Sequence, residues 1–445
     1  MVWKRRARRR GIAWRWLRLL PHVLMLLLVL AAPVVGDEPT PSRVEVLAVE
    51  GAITPVVVGY IERGIAEAEA SGAQALIIQL DTPGGSVEVT RRLTRRMTEA
   101  EIPIVVYIAP SGAYAASAGT FVTLAAHVAA MAPGTSIGAA SPVSSGGEEL
   151  GETALEKAMS ILEADVKGLA KRRGDAAVEW AVAAVREAKA STEDEALSLG
   201  IVDIIAVDFD DLLAQLDGRE VEVRGQTITL HTADAGRNPI AMTEVERFFH
   251  VITDPNIAFI LMTLGLNGLL FELSSPGGYV AGIIGGICLL LGLYALGVLE
   301  ANWIGLVFII LGFGLFVADI KVATGGVLTV AGVVSFVVGS LLLFQTSAYA
   351  VSRSLVFGVA AATGAFFAFA VAKAVGAQRR QPTTGLEGMM GRSAVARTEL
   401  APRGSVFLMG EWWEAEAEGE PIGQGETVEV VGHEGFLLRV RRRAE

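Results

Sequence analysis

Three units are predicted: an α/β domain, a bundle of membrane-spanning helices, and a small all-β barrel at the C-terminus. Three observations predict them. Strand-like and helix-like runs alternate from about 42 to 210. Between 257 and 352 only Glu272, Glu300, Asp319 and Lys321 carry charge. Five short strand-like runs crowd into 386–445. Apolar residues make up 52% of the 445 and the mean hydropathy is +0.49, high for a soluble chain. The formal charge of -11 speaks against a nucleic-acid partner.

Lys4, Arg5, Arg6, Arg8, Arg9 and Arg10 precede an apolar run from Leu19 to Leu30, then small Ala31, Ala32 and Gly36. That order reads as a secretory signal peptide over 1–36, with an uncleaved N-terminal anchor as the alternative, and either exports the domain after it. Within 37–235, strands are expected at 44–49, 75–80, 103–108, 127–131 and 201–206. Helices are expected at 56–70, 87–100, 115–126, 153–173, 176–188 and 192–199. Strands alternating with helices predict a mainly parallel sheet. The Gly-, Ser- and Pro-rich stretch 134–151 reads as a loop, and 236–256 as a linker.

The region 257–375 divides into apolar runs at 257–273, 279–299, 303–319, 326–345 and 354–375. Each approaches the length that crosses a ~30 Å apolar layer at 1.5 Å per residue. The first and third are short, so four spans plus a re-entrant piece stands beside five. Asp319 and Lys321 are expected at the interface. Lys373, Arg379 and Arg380, flanking the end of the last run, place that end inside by the positive-inside rule. Residues 376–385 read as a linker. The five strand-like runs of 386–445 fit an OB-fold barrel. Glu411, Glu414, Glu416, Glu418 and Glu420 make protein contact the better reading of that barrel, with Trp412 and Trp413 as exposed anchors.

Two motifs carry chemistry. Asp81-Thr82-Pro83-Gly84-Gly85-Ser86 ends a buried strand, and Pro110-Ser111-Gly112-Ala113-Tyr114-Ala115-Ala116-Ser117-Ala118-Gly119 comes about thirty residues on. A glycine pair after a strand frees backbone N–H groups and lets a carbonyl approach. A serine between alanines at a helix start is sterically open. Together they supply a nucleophile and an oxyanion hole. The single cysteine, Cys288, lies in an apolar run, and the five histidines form no His-x-x-x-His pair, so no metal or other cofactor is expected. His127 lies ten residues after Ser117 and reads as structural. Asp81 reads as a cap for the turn after it. Ser274-Ser275-Pro276-Gly277-Gly278 repeats the glycine pair between two apolar runs, where it reads as a turn.

This order of motifs and segments resembles the long form of the NfeD family of membrane serine proteases, and the phrase Met131-Ala132-Pro133-Gly134-Thr135-Ser136-Ile137-Gly138-Ala139 is typical of it. The exported domain resembles the ClpP/crotonase superfamily. The resemblance implies a Ser-Lys dyad, with the base about forty residues after the serine. Lys157, in Leu155-Glu156-Lys157-Ala158-Met159, falls there; Lys167 and Lys171 lie further on among charged neighbours. A lysine acts as base only when neutral, against an ordinary pKa of about 10.4. Burial beside Leu155, Ala158 and Ile161 is the expected means. The resemblance further implies an oxyanion hole at the N–H groups of Gly85 and Ala118, with Gly84 and Gly85 against the substrate. It implies a hydrophobic peptide substrate, a stomatin-like or flotillin-like membrane partner, and a homo-oligomer. A crotonase-type acyl-CoA enzyme conflicts with export, because CoA chemistry is intracellular. A non-catalytic scaffold for such partners is the competing reading.

Overall fold

The computed structural model describes residues 42–142, 151–274, 277–299, 301–322, 324–343, 350–378 and 385–443. The expected signal peptide and Arg379 and Arg380 lie outside the described residues, as does 143–150 of the expected loop. The chain forms two compact units. One comprises Met1–Ala258 with Leu291–Glu300 as its main parts, the other Phe259–Leu290, Ala301–Gln345 and Ala350–Glu445.

In the first unit, β1 (Arg43–Glu50), α1 (Pro55–Ser71), β2 (Ala75–Asp81), α2 (Val87–Thr98) and β3 (Ile104–Ile108) keep the expected alternation. Thr54 caps α1, Pro55 opens it, and Gly72 closes it at φ 63. Next come β4 (Tyr114–Ala116), α3 (Ala118–Ala125), β5 (Val128–Met131), β6 (Ser136–Gly138), α4 (Glu152–Ala170) and α5 (Asp175–Arg186). Then come β7 (Ala190–Thr192), α6 (Glu193–Ser198), β8 (Ile204–Ile205), α7 (Phe209–Leu216), β9 (Glu220–Val223), β10 (Gln226–Thr229) and β11 (Gly236–Pro239). The main sheet is parallel throughout, in the order β11-β1-β2-β3-β5-β8.

Both faces of this sheet are covered, which is why its strands read as continuous apolar runs. Leu47, Leu76, Ile78, Val106 and Ile108 enter the core on one face. Val44, Ala75, Ile77, Val105 and Tyr107 enter the core on the other, as a period of two requires. A smaller sheet, β4-β6-β7, carries the chain around the candidate site.

Four expectations change, the first being that the expected loop 134–151 carries the strand β6. The helix expected from 115 starts at Ala118, because 114–116 pair in parallel with β6 instead. The strand expected over 201–206 narrows to β8. The expected linker 236–256 supplies the edge strand β11 and a helix, α8 (Glu244–Ile252).

Five apolar helices come next: α9 (Pro255–Ser274), α10 (Val280–Val298), α11 (Trp303–Val322), α12 (Val327–Leu343) and α13 (Arg353–Gln378). Among the described residues four are long and apolar enough to cross a membrane; α12 is the shorter one. The two runs that looked short by sequence extend to 20 residues each. Glycines set the helix contacts of the second unit. A Cβ on Gly268 would lie 2.8 Å from Ala281 O, and one on Gly339 would lie 2.6 Å from Gly305 O. Asp319 keeps its place near the end of α11, and its side chain is fully buried within the protein. Its carboxylate accepts from Thr324 Oγ1 (2.5 Å), Thr329 N (2.9 Å) and Thr329 Oγ1 (2.6 Å), capping the start of α12. Lys321, two residues on, is exposed.

The C-terminal barrel comprises β12 (Ser393–Ala396), β13 (Arg403–Leu408), β14 (Glu411–Ala417), β15 (Thr427–Glu434) and β16 (Leu437–Arg442). It closes in the order β12-β13-β14-β16-β15, with β14-β16 parallel and the other pairs antiparallel. That arrangement is consistent with an OB-fold. Val406, Leu408, Ala415, Val428, Leu438 and Val440 fill its interior. Trp412 is exposed as expected, but Trp413 packs partly buried against that interior and is no free anchor.

Candidate active site

The site is built where β2 runs out. Past Asp81 the backbone of Thr82 pairs with the small sheet: Thr82 N donates to Tyr114 O (2.8 Å), and Ala116 N donates to Thr82 O (3.0 Å). Asp81 steadies the same junction, its Oδ1 accepting from Tyr114 N at 3.1 Å, in the capping part expected of it. These bonds lay the two motifs side by side. The buried Thr82 hydroxyl accepts from Gly84 N at 3.1 Å and holds the glycine turn.

Gly84 sits at φ +130, where a side chain is strained, and a Cβ there would lie 2.7 Å from Ser117 Cβ and 3.2 Å from its Oγ. Gly85 is pressed from the other side, since its Cβ would meet Ile53 O at 2.4 Å. Neither position admits a larger residue without movement. Among the described residues the N–H of Gly85 has no backbone acceptor. Ala118, first residue of α3, has an N–H with no intrahelical acceptor. These are the two donors expected for an oxyanion.

Ser117 lies at φ 51, ψ -112, a conformation that costs a non-glycine residue free energy. It occupies the N-cap position of α3, yet its hydroxyl makes no capping bond and stays available. The surroundings hold this backbone in place. Ser117 N donates to Ala139 O (3.3 Å) and Thr120 N to Ser117 O (3.0 Å). The buried Thr120 hydroxyl lies 3.1 Å from Ala115 O and 3.4 Å from Gly138 O. Gly119 lets the helix close on Thr82, whose Cγ2 would stand 2.6 Å from a Cβ there. The run of small residues around the serine is thus set by the approach of the Thr82 strand. Thr82 and Thr120 went unnoticed in the sequence; a threonine two residues before Gly84 was the available signal for the first.

Lys157 lies on α4 and is exposed, as are Leu155 and Ile161, while Ala158 is half-buried. The expected burial of Lys157 is therefore not supplied by the described residues of this chain. The core-facing residues of α4 are Leu162, Val166 and Ala170, further along the helix. Lys167 pairs with Glu163 at 3.8 Å, which suits its reading as a surface lysine. Lys171 is likewise exposed.

His127 is no base for this serine. It lies beyond the C-terminal end of α3, whereas Ser117 precedes the N-terminal end. Its Nδ1 accepts from Ile104 N at 3.0 Å. Burial, with Arg172 and Arg173 adding to it, pushes its pKa down to about 4. Ser141 is engaged with Val185 O at 2.7 Å. At the second glycine pair, Gly277 N and the following Tyr279 N donate to Glu272 Oε1 at 3.2 and 3.0 Å.

The chain is a membrane protein, and its available serine on a strained turn facing a glycine pair is the candidate nucleophile site. Sequence similarity gives the family. Residues 43–225 match the NfeD1b N-terminal domain, 256–373 the NfeD integral membrane domain, and 386–442 the NfeD-like C-terminal, partner-binding domain. The chain belongs to the NfeD family, in its long form. It is 33% identical over 437 residues to the membrane-bound protease PH1510 of Pyrococcus horikoshii, covering 95% of this chain and 98% of that one. It is 26% identical over 432 residues to the membrane protein NfeD1b of Bacillus subtilis, covering 90% and 93%. A solved structure of a membrane protease specific for a stomatin homolog from Pyrococcus horikoshii is 32% identical, covers 48% of this chain and 99% of that one, and superposes with a TM-score of 0.42.

Proposed function

We propose that this protein is a membrane-anchored serine endopeptidase of the ClpP class, with Ser117 as nucleophile and Lys157 as base. The observation that carries the proposal is the strained, uncapped Ser117 set against Gly84. Homology to a membrane-bound protease along almost the whole chain supports the same reading. Neutral Lys157 Nζ takes the proton from Ser117 Oγ, and Oγ attacks the peptide carbonyl carbon. The oxyanion is received by the N–H groups of Gly85 and Ala118. The C–N bond then breaks, the amine leaves with the proton, and an acyl-enzyme ester remains. Water, deprotonated by the same lysine, hydrolyses the ester and frees Ser117.

The substrate in this reading is a hydrophobic segment of a membrane protein, with a stomatin-like protein as partner and a flotillin-like one as the alternative. The α/β domain works outside the membrane and the barrel inside, as a protein-contact module. A homo-oligomer in which a second copy covers the exposed half of α4 would supply the desolvation that Lys157 lacks alone. One observation favours the competing scaffold reading, namely that exposure. A fluorophosphonate probe separates the two. Labelling of the wild-type protein that disappears in Ser117→Ala supports the peptidase; no labelling of folded wild-type protein in membranes supports the scaffold.

A further inference from the structure

We infer that α8 is an interfacial helix, whose apolar stripe Val245, Phe248 and Val251 is seated in the lipid surface at the foot of the α/β domain. The three side chains are 66%, 51% and 49% exposed, and their spacing puts them along one side of the helix. The other side is fastened to the domain. Glu246 receives Arg63 Nε and Nη2 at 2.9 and 2.7 Å, and Arg63 Nη2 also donates to Ala241 O at 2.9 Å. Thr243 and Glu246 close a capping box that fixes the start of the helix. The helix is thus held at Glu246, and its outward face carries the three apolar side chains beside the exposed ion pair of Glu244 and Arg247 (2.8 Å).

The stripe is continuous with the spans, and this identifies its cover. Only Thr253 and Asp254 separate α8 from α9, and Asp254 Oδ1 accepts from Asn256 N (2.9 Å) and Ile257 N (3.1 Å) to start that span. Phe249 meets Phe248 edge to face with centroids 5.4 Å apart, and lies 5.3 Å from the ring of Tyr294, near the end of α10. The stripe therefore adjoins the ends of two membrane helices, at the border of the apolar layer. A protein partner is the weaker occupant. Three side chains of this size and exposure bury on the order of 300 Å², well short of the ~800 Å² per partner of a stable protein interface. An amphipathic helix settles with its apolar face about 5–10 Å into the headgroup boundary. Such a contact ties the α/β domain to the bilayer at a point beyond the spans themselves. The inference holds or fails independently of the peptidase reading.

The test uses the full chain in phosphatidylcholine–phosphatidylglycerol vesicles. With Cys288→Ser removing the single cysteine, Val245→Cys, Phe248→Cys, Val251→Cys and Arg247→Cys each take a nitroxide label. The three apolar positions are expected to show a higher ratio of oxygen to nickel-chelate accessibility than Arg247→Cys. Ratios equal to that of Arg247→Cys would overturn the inference, and so would positions shielded from both collision partners, which would mean protein on the stripe. Phe248→Trp, which keeps an aromatic ring, checks the result without a label. Its added fluorescence should be quenched by brominated phosphatidylcholine; quenching by aqueous iodide alone overturns the inference.

Discussion

At the scale of the residue, the glycine pair and the serine were legible because only a few residue types tolerate that geometry. Gly84 is required twice over, by its φ of +130 and by Ser117 Cβ. Gly84→Ala is therefore expected to cost most of the hydrolytic activity, at least tenfold in kcat/KM, with modest loss of stability, read by peptide hydrolysis and thermal melting. Ser117→Ala and Lys157→Ala should each abolish hydrolysis, and the double variant should lose little more than either, because the pair acts as one unit. Substantial activity in purified Lys157→Ala would remove that lysine from the mechanism. Its exposure could not be read from α4, since burial depends on what faces a helix and not on its own apolar residues. His127 yields a pH prediction. Its pKa is held down near 4 in the folded protein, below the ordinary 6.5, so the folded state favours the neutral ring. The unfolded chain takes up that proton first as pH falls. Stability present above 6.5 is thus lost between 6.5 and 4, by on the order of 1 kcal/mol per unit. His127→Gln should flatten this part of the pH–stability curve; an unchanged slope would assign the loss to other groups.

At the scale of the element, periodicity gave the main strands and helices, because burial on both faces of a sheet or one face of a helix leaves a repeat. It failed at β4, where Tyr114-Ala115-Ala116 has helical composition and is strand because Thr82 and β6 supply its backbone partners. At Asp319 it gave the place near a span end but not the partners, because nothing in a repeat shows that the next turn brings Thr324 and Thr329 onto the carboxylate. Removing that acceptor leaves Thr329 N and both threonine hydroxyls without their carboxylate, with the long Leu328 N to Thr324 Oγ1 bond (3.4 Å) as the side-chain cap that remains at the start of α12. Asp319→Ala should destabilise the bundle by about 2 kcal/mol or more, since bonds to a charged group are the stronger ones. Thermal unfolding in detergent checks this, and a midpoint unchanged from the parent would show that the turn holds without the carboxylate. Gly339→Leu should be more damaging still. Its Cβ would meet Gly305 O at 2.6 Å, so the α11–α12 contact must open along its length.

At the scale of the whole molecule, composition separated the soluble units from the membrane region, because a long stretch almost without charge is stable in lipid and insoluble in water. Composition does not fix the number of crossings, and helix length now directs that question to α12. Its 17 described residues rise about 25 Å against a ~30 Å apolar layer, and the stretch directly after Leu343 lies outside the described residues. The small residues of α12 compensate by close packing. Gly332 and Gly339 bring it against α11, and Ser335, Phe336 and Ser340 are buried. A helix packed in that way reaches the interfaces by thinning the bilayer around it at modest cost. Five crossings are expected on that ground, which puts the α/β domain and the barrel on opposite sides. In the Cys288→Ser background, Glu222→Cys in β9 and Glu418→Cys beyond β14 are exposed reporters, one in each soluble part. An impermeant maleimide added to sealed cells should label Glu222→Cys at once and Glu418→Cys only after the membrane is opened. Labelling of both from outside would make the number of crossings even, and α12 would then be the helix that enters the apolar layer without leaving it on the far side.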